Sequence, residues 1–231
     1  MKRLAIIGAG DLGQLIAHHA IRDDSFQVAG FFDDGKRAGT KTPYGLVMGT
    51  CAELEELHHA RRFDCLLVGI GYNHMSVRQA CFQRYAQAVP FAKLIHSSCQ
   101  VDPSARVGEG CVLLPGCVLD MGVSVKPNSL LNTGCTIAHD TTVEENCFLG
   151  PGVTLAGFVT LRSGCYIGVG TIVIDNIEVA SGVQTGAGAV VTRNIREPGL
   201  YVGVPARKVD RGSDPATVNK ETTSRCPLRS C

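Results

Sequence analysis

Residues 131–161 read LNTGCT-IAHDTT-VEENCF-LGPGVT-LAGFVT-L, and in lines of six every line opens on an aliphatic residue. The frame extends both ways without a slip: Ile95, Val101, Val107, Leu113, Leu119, Val125, Leu131, Ile137, Val143, Leu149, Leu155, Leu161, Ile167, Val173, Val179, Thr185 and Val191. Sixteen of these 17 positions are Ile, Leu or Val, a fixed period that marks a solenoid. Four residues after each aliphatic one stands a small or β-branched residue, as at Cys99, Ala105, Cys111, Cys117, Val123, Ser129, Cys135, Thr141, Cys147 and Val153. Just before that position Gly and Asn recur, as at Gly110, Gly116, Gly134, Asn146, Gly152, Gly164 and Gly182. These residues tolerate the left-handed backbone angles of a sharp corner. The hexad predicts a strand of about five residues and a corner, three times per coil, which closes into a triangular parallel β-helix. At roughly 4.8 Å per coil, nearly six coils make a prism about 27 Å tall.

Six of the 11 cysteines, at positions 99, 111, 117, 135, 147 and 165, occupy the small inward position. They read as small hydrophobes. With no CxxC and no Cys/His cluster, neither a metal site nor a disulfide framework is expected. Twenty-two Lys and Arg against 21 Asp and Glu leave no basic excess to neutralise phosphates, so nucleic acid is not an expected partner. No apolar run reaches the roughly 20 residues that span a bilayer. Met1 leads directly into a strand-like run without a signal-peptide core, so a cytoplasmic, membrane-free protein is expected.

Residues 1–92 read as a separate α/β domain, residues 93–209 as the β-helix with its C-terminal cap, and residues 210–231 as a disordered tail. The first strand, Arg3 to Gly8, runs into Gly8-Ala9-Gly10-Asp11-Leu12-Gly13 and then a helix to about Arg22, a GxGxxG between strand and helix. A second strand, Phe26–Phe32, ends at Asp33-Asp34; a helix near 52–60 precedes a third strand, Cys65–Ile70, which ends in Gly71-Tyr72-Asn73. A further helix is expected over 75–87. Ligands of open α/β sheets sit at the carboxyl ends of the strands. Gly8, Gly10, Asp11, Gly13, Asp33, Asp34, Gly71 and Asn73 therefore converge on one crevice, the glycines approaching a diphosphate and the carboxylates holding ribose hydroxyls. No second mononucleotide half follows, so the pattern favours a nucleotide diphosphate over a nicotinamide dinucleotide. Glycines serving only strand–helix packing remain an open alternative.

The repeat region holds only two histidines, His96 and His139. His139 lies two places after an inward Ile137, so strand alternation points it outward. Asp140 beside it can orient an imidazole. On these residues alone, His139 is either idle surface or part of a site between subunits.

The order of motifs resembles the bacterial sugar acyltransferases of the NeuD/PglD family over about residues 3–209. The matching stretches are Ile6-Ile7-Gly8-Ala9-Gly10-Asp11-Leu12-Gly13, Phe31-Phe32-Asp33-Asp34, Gly71-Tyr72-Asn73, Asn132-Thr133-Gly134, His139-Asp140 and Gly203-Val204-Pro205-Ala206. The resemblance implies a left-handed β-helix, a homotrimer, and transfer of an acyl group, as from acetyl-CoA, to the amine of a nucleotide-linked amino sugar. It implies His139 as general base, Asp140 as its orienting partner, Asn132 as a nearby polar residue, and a Gly157 amide for the oxyanion. Val169, Gly170, Ala187 and Gly188 match positions lining the pantetheine groove, and Lys208, with Arg207, is set to meet the phosphates of coenzyme A. Where many relatives carry a second histidine beside the sugar, this chain has Phe148, expected to face outward on the substrate side. A hydroxyl acceptor and a non-catalytic nucleotide-sugar scaffold are the rival expectations, and a γ-type carbonic anhydrase lacks its three histidines.

Overall fold

A computed structural model describes residues 1–209, and the tail expected from residue 210 onward lies outside the described residues. The chain opens with β1 (Arg3–Ile7), α1 (Asp11–Arg22), β2 (Gln27–Phe32), β3 (Lys41–Thr42), β4 (Gly45–Gly49), α2 (Leu54–His59), β5 (Cys65–Val68) and α3 (Met75–Tyr85). These strands form one sheet in the order β3-β4-β2-β1-β5, parallel except for the short β3–β4 hairpin. Helix α1 is amphipathic: Gly13, Ile16, Ala17 and Ala20 are buried, a helical spacing that lays one stripe on the sheet. Ala5, Ile7, Leu66 and Val68 pack the opposite face against Leu54 and Tyr85. The unbroken apolar runs of β1 and β5 are what strands covered on both sides require.

The solenoid follows from residue 94, with successive coils paired 18 residues apart, as in Thr136↔Thr154 and Leu130↔Phe148. Its first face carries strands such as Leu130–Leu131 and Phe148–Leu149, its second Thr136–Ile137 and Thr154–Leu155, its third Thr142–Val143 and Thr160–Leu161. Strands are two residues long rather than the five expected, because most of each hexad builds the corner. Gly110, Gly116, Gly122, Asn128, Gly134, Asp140, Asn146, Gly152, Phe158, Gly164, Gly170, Asn176, Gly182 and Gly188 all sit at positive φ, between 55° and 75°.

Inside the prism the small position does more than fill space. Cys117, Cys135, Cys147 and Cys165 each donate an S–H to a carbonyl 15 residues ahead, at 3.1–3.3 Å. Ser129 and Thr141 do the same at 2.9 and 2.8 Å. The single polar residue in the aliphatic series, Thr185, is buried but satisfied: its Oγ1 accepts the Gly168 N–H at 2.9 Å and lies 2.8 Å from the Thr171 hydroxyl. Burial pushes the Cys111 thiol up to about 11, which suits an inert core residue.

The α/β unit lies on the first face only. Val112, Leu114, Leu130 and Phe148 share one core with Leu4, Ile6, Ile16 and Ala17. A fully buried Arg78 ties the two parts, donating to the Val68 carbonyl at 2.7 Å and the Asn128 carbonyl at 3.1 Å. Burial lowers its pKa to about 10. The 18-residue register holds to Val191; Ile195 then pairs with Val179, 16 residues back. The antiparallel pair Gly199–Val202 and Arg207–Val209 finishes the last coil. No helix among the described residues is long and apolar enough to cross a membrane.

Candidate active site

Two arrangements carry chemistry. The first is the crevice at the carboxyl ends of β1, β2 and β5. Here the glycines divide by role. A Cβ on Gly13 would lie 1.9 Å from the Gly8 carbonyl oxygen, so Gly13 is bare to let α1 pack on β1. Gly8 needs its φ of +100°. Gly10 and Gly71, by contrast, face open space, and they leave backbone accessible to a ligand. Both carboxylates are partly engaged: Asp33 accepts the Ala9 and Gly35 N–H groups at 2.9 Å, and Asp34 accepts the Cys51 N–H at 2.7 Å. Asp11 stands exposed in the first turn of α1, where the helix dipole favours a carboxylate. A cation not singled out in the sequence stands in the same crevice: the Lys36 ammonium donates to the Ala9 carbonyl at 2.5 Å. Its signal was there, a lysine two residues past the Asp33-Asp34 strand end.

Asn73 is exposed at the crevice mouth. Beside it Tyr72 stacks on Tyr166 of the first face, rings parallel to 4° and 4.3 Å apart, and meets Phe148 edge-on at 5.5 Å. Phe148 does point out of the prism, but it is only 5% exposed. It lies in the core under the α/β unit, covered by Tyr72, rather than open beside a substrate.

The second arrangement is on the edge between the second and third faces. His139 Nδ1 lies 3.1 Å from Asp140 Oδ2, and an Nδ1–H donated to that carboxylate leaves the Nε2 lone pair free. The imidazole lies over Gly157, one coil further on, where a Cβ would come within 2.7 Å of Nε2. The Gly157 N–H donates to no group among the described residues. Phe158 closes the side, its ring 5.1 Å from the imidazole at 89°. An unprotonated nitrogen beside an unused amide donor is what proton abstraction coupled to oxyanion formation requires.

The structure does not bring Asn132 to His139 within one chain. Asn132 ends a first-face strand and bonds its own Thr133 N–H at 2.8 Å, at the other edge of the second face. The 18-residue register stacks Val169-Gly170 and Ala187-Gly188 on that same edge, above Thr133-Gly134. Lys208 is on the closing strand, paired with Glu197 at 2.9 Å.

The fold has counterparts among known proteins. Residues 3–85 match the family model of the PglD N-terminal domain. The acetyltransferase domain of PglB from Neisseria gonorrhoeae is 30% identical, with a TM-score of 0.81, over 90% of this chain and 100% of that one. PerB from Caulobacter crescentus, solved with CoA and GDP-perosamine, is 28% identical with a TM-score of 0.83, over 91% of this chain and 98% of that one. No curated protein matches the chain. An α/β unit seated on a left-handed hexapeptide-repeat prism, shared with sugar acetyltransferases over nearly the whole chain, defines an acyltransferase. The chain belongs to the nucleotide-sugar acyltransferases of the PglD/NeuD type.

Proposed function

We propose that the protein transfers an acyl group, as from acetyl-CoA, to the amine of a nucleotide-linked amino-deoxy sugar, with His139 as general base. The observation that carries this reading is the imidazole whose Nδ1 meets Asp140 and whose Nε2 edge lies over Gly157, a residue with an unused N–H. PerB, solved with CoA and GDP-perosamine, supports the pair of substrates. In the reaction the sugar nitrogen attacks the thioester carbonyl while Nε2 takes its proton. The Gly157 N–H receives the oxyanion. As the carbonyl re-forms, the C–S bond breaks and the departing thiolate takes the proton from the imidazolium.

The nucleotide sugar lies along the crevice, its diphosphate near Gly8, Gly10 and Gly71 and the Lys36 ammonium, with Asp11, Asp33, Asp34 and Asn73 at its hydroxyls. The topology supports a reading in which a second copy completes the site. The crevice stands over the first face, and His139 stands on the edge between the other two, so one chain does not bring its own base to its own sugar. Of the two faces that the α/β unit leaves bare, the second has uncharged outward strand residues: Gln100, Val118, Thr136, Thr154, Ile172 and Val190. The third face instead carries the Glu144–Arg162–Glu178 ion pairs, at 2.8 and 2.7 Å. A homotrimer that buries second faces sets His139 and Gly157 of one copy against the Asn132, Val169, Gly170, Ala187 and Gly188 edge of the next. Acyl-CoA fits the groove between them, and Lys208 with Arg207 lies near its phosphates.

The test is mass-spectrometric. Protein and its His139→Ala variant are incubated with acetyl-CoA and UDP-, dTDP- or GDP-linked 4-amino-4,6-dideoxyhexoses. The expected result is one acetyl group gained on one sugar and lost in the variant. Acetyl-CoA binding without transfer to any amine would overturn the amine reading and favour a hydroxyl acceptor. Equal transfer by the variant would remove His139 from the mechanism.

A further inference from the structure

Thirteen of the 14 corner positions at positive φ are Gly, Asn or Asp, residues that accept the left-handed region; the other is Phe158 at φ 58°. A bulky side chain is a true outlier there. Core packing does not account for it, since Phe158 is 54% exposed. Strain retained at an exposed residue points to function rather than to stability. What the ring touches is the base: it stands edge-on to His139 at 5.1 Å and 89°, a geometry favoured by the aromatic quadrupole. Its backbone N–H also donates to the His139 carbonyl at 3.1 Å. Asp140 fixes one nitrogen of the imidazole and Gly157 leaves room beneath it, but neither stops the ring turning about its Cβ–Cγ bond. The Phe158 ring, edge-on to the imidazole, is a third contact on it.

We propose that Phe158 is a positioning residue for the base. It holds the His139 imidazole with Nε2 over the Gly157 N–H, and the corner strain is retained for that purpose. This rests on His139 acting as the base in the reaction above.

The test uses Phe158→Asn, which installs a residue suited to the corner and removes the ring, with Phe158→Tyr as the conservative control. In acetyl transfer to the accepted sugar, the Asn variant should lose about 10–100-fold in kcat, as a misplaced catalytic group does. Its KM for both substrates should stay near wild type, and its Tm should hold or rise by roughly 2–4 °C as the strain is relieved. The Tyr variant should recover kcat. Wild-type kcat in the Asn variant overturns the proposal. If the Asn variant loses its fold, Phe158→Leu, apolar but ringless, takes its place with the same expectation for kcat. If the wild type acylates nothing, the reading of function fails separately. The positioning role is then judged from the side-chain ¹⁵N spectrum of His139: one dominant Nδ1-protonated tautomer in the wild type, redistributed in the Asn variant. Identical spectra overturn it.

Discussion

The α/β unit and the prism use glycine and carboxylate for opposite ends. In the prism every special position is set by register: a corner residue recurs each sixth place and each coil pairs with the next 18 residues on. Side-chain chemistry there can change at an edge without disturbing the interior, which Ile, Leu, Val and hydrogen-bonded thiols maintain. In the α/β unit the same residue types are set by contacts that no period announces. Gly13 is a packing residue and Gly10 an open one, three places apart. Asp33 both faces the crevice and holds its loop together. Function and folding are thus separable on the prism edge and merged in the crevice.

The largest effect that tests this contrast is on the edge. His139→Ala should lower kcat by about 10²–10⁴-fold, the usual worth of a general base, with Tm and nucleotide-sugar affinity unchanged. Asp33→Asn should do the reverse, weakening the loop and raising KM together, because two backbone N–H groups lose a charged acceptor. An edge variant that unfolds, or a crevice variant with altered kcat alone, would break the comparison. Next comes Ile172→Glu on the uncharged second face. It should yield monomers by light scattering and abolish transfer while leaving far-ultraviolet dichroism intact; an active monomer would sink the shared site.

Smaller effects sharpen the difference between the glycines. Gly13→Ala, with its Cβ against the Gly8 carbonyl, should destabilise the α/β unit by on the order of 3 kcal/mol, read from its denaturant midpoint. Gly10→Ala, which meets nothing within 4 Å, should leave that midpoint alone and act only on sugar KM. The smallest effect concerns pH. Desolvation, then repulsion from His18 and His96, holds the His19 pKa below its ordinary value. A depressed histidine contributes stability above its unfolded pKa of about 6.5, lost as pH falls through the folded value. Replacing His19 with Gln should flatten that acid limb of the Tm–pH curve, and an unchanged limb would assign it elsewhere.

The prism was almost wholly legible because its signal is periodic. Where it was misjudged, length was the issue: strands of two residues, not five, since one left-handed residue per hexad draws its neighbours into the turn. The site was legible only in part. For the local pair His139-Asp140, outward alternation gives only an outward histidine, idle or between subunits; its reading as a base comes from the family resemblance. Asn132 is seven residues away, not 18, and the register alone would have put it on another edge. Phe158 also had a visible signal, an aromatic in a frame otherwise kept by Gly, Asn and Asp, but its meaning needed the distance to His139. In the α/β unit, β3 and β4 escaped notice because they are short and flanked by glycine. Lys36 became significant only once the fold brought it to Ala9.

The stacking of residues 18 apart makes the prism a dial with three stops. Splicing one hexad into a coil below His139 would keep the prism's own interior and corners, yet turn the imidazole to the next edge and carry Phe148 and Tyr166 out from under the α/β unit. Two hexads would turn it once more, and three would bring it back one storey higher. Length variation in such a chain therefore preserves the hexad pattern at every sixth residue but preserves both the α/β contact and the site only at every eighteenth. Insertions that lengthen the protein without retuning its active site are confined to whole coils.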